Sequence, residues 1–132
     1  MIEGAVNAAY EAIISLSLRG PSGQAQEIDA VIDTGFNGFL TLPPALVSEL
    51  GLSFLSHGGA TLADGNRIAF DVWEVTVLWD GAALSVEADE SDTTPLVGML
   101  LLDNHSLYVE VADGGRVVVQ AIEGAISPDI EI

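Results

Sequence analysis

The chain has 132 residues, the length of one domain, and 49% of them are hydrophobic against 17% charged, so it can bury a core and lacks the composition of a disordered chain. Twenty acidic residues face three basic ones, Arg19, Arg67 and Arg116, for a formal net charge of -17. A field of that sign repels nucleic-acid phosphates and anionic lipid, so neither nucleic acid nor a membrane surface is expected as a partner. The absence of cysteine excludes a disulfide framework, a thiolate metal site and a cysteine nucleophile.

Met1 to Tyr10 carries Glu3 where an export signal carries basic residues, and the apolar run after it is interrupted by Ser15, Ser17 and Arg19. No stretch reaches the about 20 apolar residues that cross a bilayer, so a soluble, cytoplasmic protein is expected. Ala12, Ile14, Leu16 and Leu18 share one parity, the pattern of a half-buried strand. Gly20-Pro21-Ser22-Gly23 supplies a turn, and Glu27 to Asp33 is expected to return beside that strand as a hairpin. A third short strand follows at Phe39 to Leu42. Pro43-Pro44 then opens, and Gly51 closes, a short helix.

Three Asp-Gly pairs, at 64–65, 80–81 and 113–114, mark hairpin turns. Between the first two, Trp73, Val75, Val77 and Trp79 share one parity while Glu74 and Thr76 point the other way, and Leu84, Val86 and Ala88 repeat the pattern. Asp89 to Pro95 reads as an acidic solvated loop, followed by the apolar block Leu96 to Leu102. A last hairpin is expected from Leu107 to Gln120, with Leu107, Val109 and Val111 on one side. Residues 121–132 have no periodicity and are expected to form a tail or an interface strand. Many short strands without a repeat make an all-β barrel or sandwich, a single domain over residues 1–132 with its core in about 10–120.

The most specific local signal is Asp33-Thr34-Gly35-Phe36-Asn37-Gly38, which follows the apolar run Ala30-Val31-Ile32. Read locally, it is a strand ending in a turn whose Asp and Thr bond nearby amides. No phosphate-cradling glycine loop, serine-nucleophile elbow or His-Glu-x-x-His run occurs. His57 and His105 have no third ligand spaced near them and are expected to be ordinary surface or loop residues; no metal and no cofactor is expected.

With Leu96-Val97-Gly98 downstream and Ala60 to Arg67 between, the chain resembles the retropepsin-like (clan AA) aspartic proteases over roughly residues 10–120. Its Asp-Thr-Gly-Phe and following Leu-Pro segment are similar to the prokaryotic branch. The resemblance implies an acid-protease barrel with one or two short helices, active as a homodimer on a peptide or protein substrate. It implies catalytic roles for Asp33, Thr34 and Gly35, with Thr34 tying two loops together across the twofold axis and Gly35 allowing close backbone approach. Leu96, Val97 and Gly98 are then structural at the site. Ala63, Asp64 and Gly65 belong to a flap that closes over the substrate.

A lone carboxylate at its ordinary pKa cannot serve water as base and substrate as acid at one pH, whereas two held about 3 Å apart share a proton and divide those tasks. With one Asp-Thr-Gly in a chain too short for two lobes, the second carboxylate is Asp33 of another subunit. The expected function is an aspartic endopeptidase. The alternative on the same fold is a noncatalytic peptide-binding or assembly module. Phe36 departs from the Ala or Ser usual after Asp-Thr-Gly; it either turns into the core beside Phe39 or narrows the cleft. Asn37 either bonds substrate backbone or caps the loop.

Overall fold

The computed structural model of the chain describes residues 1–123; the expectation of a tail or interface strand lies, from residue 124 onward, outside the described residues. The elements in chain order are β1 (Ile2–Val6), β2 (Ala12–Arg19), β3 (Ala25–Ile32), β4 (Leu40–Leu42), α1 (Pro44–Leu50), β5 (Ser53–Thr61), β6 (Arg67–Trp79), β7 (Ala82–Glu90), β8 (Leu96–Val97), β9 (His105–Val109) and β10 (Arg116–Ala121).

Alternation decides which face of each strand is buried. Ile14, Leu16 and Leu18 of β2 point into the core, while Ser15 on the opposite face donates to Asp29 of β3 at 2.9 Å. β2 and β3 pair antiparallel from Ile13↔Val31 to Arg19↔Ala25. In β6, Val75, Val77 and Trp79 are buried and Trp73 packs at the edge of the same cluster. Asp80 and Gly81, with φ of 49° and 86°, make the tight turn to β7 in the left-handed region that such hairpins require. The helix starts on Pro44, whose missing N–H costs nothing in the first turn, and ends where Gly51, at φ 59°, returns its N–H to the Ser48 carbonyl.

The pairings close a ring. β6, β7, β4, β8, β3 and β2 are neighbours in that order, and β2 pairs again with β6 over Ser17↔Leu78 to Arg19↔Thr76. β5 extends the sheet beyond β6, and β1, β10 and β9 extend it beyond β2. Closure turns Leu40, Val77 and Val97 inward to complete burial. Within the ring β8 runs parallel to β3 and antiparallel to β4, so the two residues Leu96 and Val97 lie between both. A parallel partner demands a long connection, here all the chain from the end of β3 to β8.

Several expectations are corrected. β1 is a strand that the sequence reading left out: it pairs with β10 over Ile2↔Val119 to Ala5↔Arg116, and its Val6 joins the core. Asp89 and Glu90 do not belong to a loop but finish β7, paired in parallel with Thr41 and Leu42 of β4. Val111 lies beyond β9 and is exposed, because the β9–β10 pairing ends at Val109↔Val117. β5, unforeseen over most of its length, makes one arm of a long hairpin with β6. Among the described residues there is one helix, and it is too short to cross a membrane.

Leu40 is fully buried where β4 threads between β7 and β8, whereas Leu78 is 53% exposed. Leu40→Ala is expected to cost about 2–5 kcal/mol in urea unfolding, and Leu78→Ala less than about 0.5 kcal/mol. Equal costs would contradict this placement of the core.

Candidate active site

The loop after β3 is sewn to the segment after β8 by backbone hydrogen bonds. Asp33 donates its N–H to the Val97 carbonyl at 2.9 Å, Gly98 to Phe39 at 3.0 Å, Met99 to Phe36 at 2.8 Å and Leu100 to Gly38 at 3.1 Å. These bonds fix the loop from both ends and leave its tip exposed. Asp33 is half-buried, and its Oδ1 accepts the Gly35 N–H at 2.9 Å. A Cβ on Gly35 would stand 3.2 Å from that oxygen, which makes glycine the residue that leaves the carboxylate uncrowded. Thr34, Gly35 and Asn37 are exposed, and among the described residues the Thr34 and Asn37 side chains have no hydrogen-bond partner. Asn37 therefore does not cap the loop through any of the described residues.

Phe36 takes neither of the two expected places completely. Its half-buried ring lies over Gly38 and Gly98: a Cβ on Gly38 would approach its Cζ to 2.5 Å, and one on Gly98 its Cδ2 to 2.7 Å. The bulk of Phe36 is thus accommodated by two glycines, and its remaining surface faces a cleft. That cleft, a cavity of about 380 Å³, runs from Phe36 to the long hairpin, where Ala60 of β5 and Ile68 and Phe70 of β6 form its wall. Thr41 lies on its floor, and Asp89, Glu90 and Asp92 line one end. A smaller hollow of about 80 Å³ between β2 and β6 contains none of the expected site residues.

At the hairpin tip, Leu62 and Asn66 close the turn through a 2.7 Å backbone bond, and Asp64 accepts from the Asn66 backbone and side chain at 2.9 Å each. Gly65 has φ 87°, a conformation that penalises a side chain. Ala63, Asp64 and Gly65 are exposed, and the cavity is lined by the hairpin's strands and not by this tip. The structure thus brings Asp33, Thr34, Gly35 and Phe36 together with Leu96, Val97 and Gly98, and sets the tip apart from them.

Sequence reasoning missed the cleft residues Thr41, Ile68, Phe70 and Asp89. One signal was available: Thr41 between Leu40 and Leu42, and Asp89 after Ala88, have the parity that faces away from the core. Burial, and after it the charge of Glu87, pushes the Asp89 carboxyl above its usual range. The histidines stand elsewhere. His57 is exposed and meets Asp71 across the hairpin at 2.9 Å, as a surface residue should. His105, by contrast, opens β9 with its side chain mostly covered, edge-on to Trp79 and 3.8 Å from Asp80. Among the described residues no group of three His, Asp or Glu side chains is placed to hold a metal ion.

An acid with a raised folded pKa binds more protons folded than unfolded, so its contribution to stability falls as pH rises through the window above the ordinary aspartate value. Asp89→Asn removes that cost. It is expected to raise the urea midpoint at about pH 7, with the gain vanishing below about pH 3, where aspartate is protonated in both states. A gain of equal size at both pH values would show that the charge of Asp89 is not its origin.

No protein-family model and no curated protein sequence matches the chain. Solved structures do. EIAV protease, complexed with the inhibitor HBY-793, superposes with a TM-score of 0.55 at 15% identity, over 73% of this chain and 88% of its own. A retropepsin-like aspartic protease from Rickettsia conorii gives a TM-score of 0.55 at 13% identity, over 91% of this chain and 89% of its own. The architecture is the all-β retropepsin-like fold.

Proposed function

We propose that this chain is an aspartic-type endopeptidase that acts as a homodimer, with the Asp33 carboxyl of each subunit forming the catalytic dyad. The observation that carries the reading is the Asp33-Thr34-Gly35 loop, with Asp33 half-buried and its tip exposed, held against Leu96-Val97-Gly98 in a retropepsin-like fold that contains a single copy of it. Half of a two-carboxylate site is what one subunit of a twofold enzyme contributes. The Thr34 hydroxyl, which has no hydrogen-bond partner among the described residues, is then available to bond across the axis, and the β5–β6 hairpin forms the flap over the substrate.

In the dyad one carboxylate takes a proton from water as the water oxygen bonds to the carbonyl carbon of the peptide, while the other carboxylic acid gives its proton to the carbonyl oxygen. Proton transfer to the amide nitrogen then breaks the C–N bond and yields a carboxylic acid and an amine. The Gly35 N–H on Asp33 Oδ1 holds the carboxylate in one orientation during both transfers. Each subunit carries a formal charge of -17, so association is favoured by salt, which screens their repulsion.

Asp33→Asn keeps the size and shape of the side chain and cannot pass the proton. It is expected to abolish cleavage of a denatured protein or a peptide library at every pH, with unchanged circular dichroism and sedimentation. Activity of the unaltered protein per subunit is expected to fall on dilution through the dimer dissociation constant. Cleavage by the purified variant would end the proposal. Peptide binding without cleavage by the unaltered protein would make it a noncatalytic module.

A further inference from the structure

Beneath the hairpin, the cleft combines an apolar wall with an acidic end. Its volume of about 380 Å³ lies within the roughly 300–1,000 Å³ range of sites that enclose small ligands or side chains. Phe36, Ile68 and Phe70 supply the apolar surface. Asp89, Glu90 and Asp92 supply carboxylates, and among the described residues no arginine, histidine or terminal amine forms an ion pair with any of them. Asp89 sits deepest in the sheet, held between Thr41 of β4 and Val72 of β6 by the ladders on both sides.

We infer that this cleft is a specificity subsite for an arginine or lysine side chain of the substrate, its stem against Phe36, Ile68 and Phe70 and its cationic end on Asp89. The inference rests on the proposed peptide-binding role of the site and names the substrate class: peptides with a basic residue flanked by apolar ones. Long basic side chains are suited to such a lining, since they bury their methylenes along apolar surface and present the charge at the end. The two phenyl rings add cation–π attraction for a guanidinium. An acidic or purely apolar side chain meets repulsion or leaves the carboxylate of Asp89 desolvated without a counter-charge. Burial has already raised the energy of that charge, so a cation gains more from it than from an exposed carboxylate.

The test uses Asp33→Asn protein, which binds without cutting, and fluorescence anisotropy with apolar hexapeptides that carry either arginine or its neutral isostere citrulline at each position in turn. At one position arginine is expected to bind about tenfold more tightly than citrulline, and Asp89→Asn is expected to shrink that ratio to less than about threefold. Asp92→Asn, at the exposed rim, is expected to reduce it less. A ratio near one at every position, or a ratio that Asp89→Asn leaves intact, would overturn the inference. Because binding is read on a protein without the catalytic carboxylate, this outcome is independent of whether the unaltered chain cleaves peptides.

Discussion

Gly98 packs against the carbonyl of Gly38 so closely that a Cβ there has no space, and the Phe36 ring covers the same spot. Such backbone-on-backbone contact is open to glycine alone. It lets two residues of β8 sit between β3 and β4, and it brings the four hydrogen bonds that pin residues 33–39 to residues 97–100 into register. The orientation of Asp33 follows from that pinning, since the carboxylate belongs to a loop held at both ends and closed on itself by the Gly35 N–H. A side chain at residue 98 would separate the strands, release the loop and displace the carboxylate together.

The charge distribution divides the molecule into a part that serves stability and a part that opposes it. The inward faces of the ring carry aliphatic side chains and Trp79, while Thr41, on the opposite face of β4, is the one buried polar residue among those described, and its hydroxyl accepts the Leu96 N–H at 2.9 Å. Asp89 lies beside Thr41 on that outer face, where the fold would be better served by a neutral residue. Residues that reduce stability while lining a cavity are what a binding surface contributes, because the interaction that offsets the cost arrives with the ligand.

Local chemistry made part of this legible. The alternation in β2 and β6, the Asp-Gly turns and the Pro44 and Gly51 boundaries of α1 all depend on residues adjacent in sequence, and so does the Asp33-Thr34-Gly35 loop. What escaped depends on distant partners. β1 is a strand because β10 pairs with it, and its Gly4 carries no apolar signal; a Cβ there would meet the Ile13 carbonyl of β2. Asp89 and Glu90 have turn-like composition, yet the parallel ladder with β4 makes them strand, as context overrides β propensity. The cleft draws Phe36, Thr41, Ile68 and Asp89 from four separate segments, and no spacing along the chain relates them.

A shared dyad ties catalysis to the pairing of two chains, and subunit mixing reads that link directly. When unaltered protein is mixed with Asp33→Asn at constant total concentration and allowed to exchange, only pairs with two aspartates carry the full site. The account predicts that activity falls as the square of the unaltered fraction, so that an equal mixture keeps about one quarter of the activity. Activity in direct proportion to the unaltered fraction would mean that each chain works alone, and would contradict a site built from two copies of Asp33.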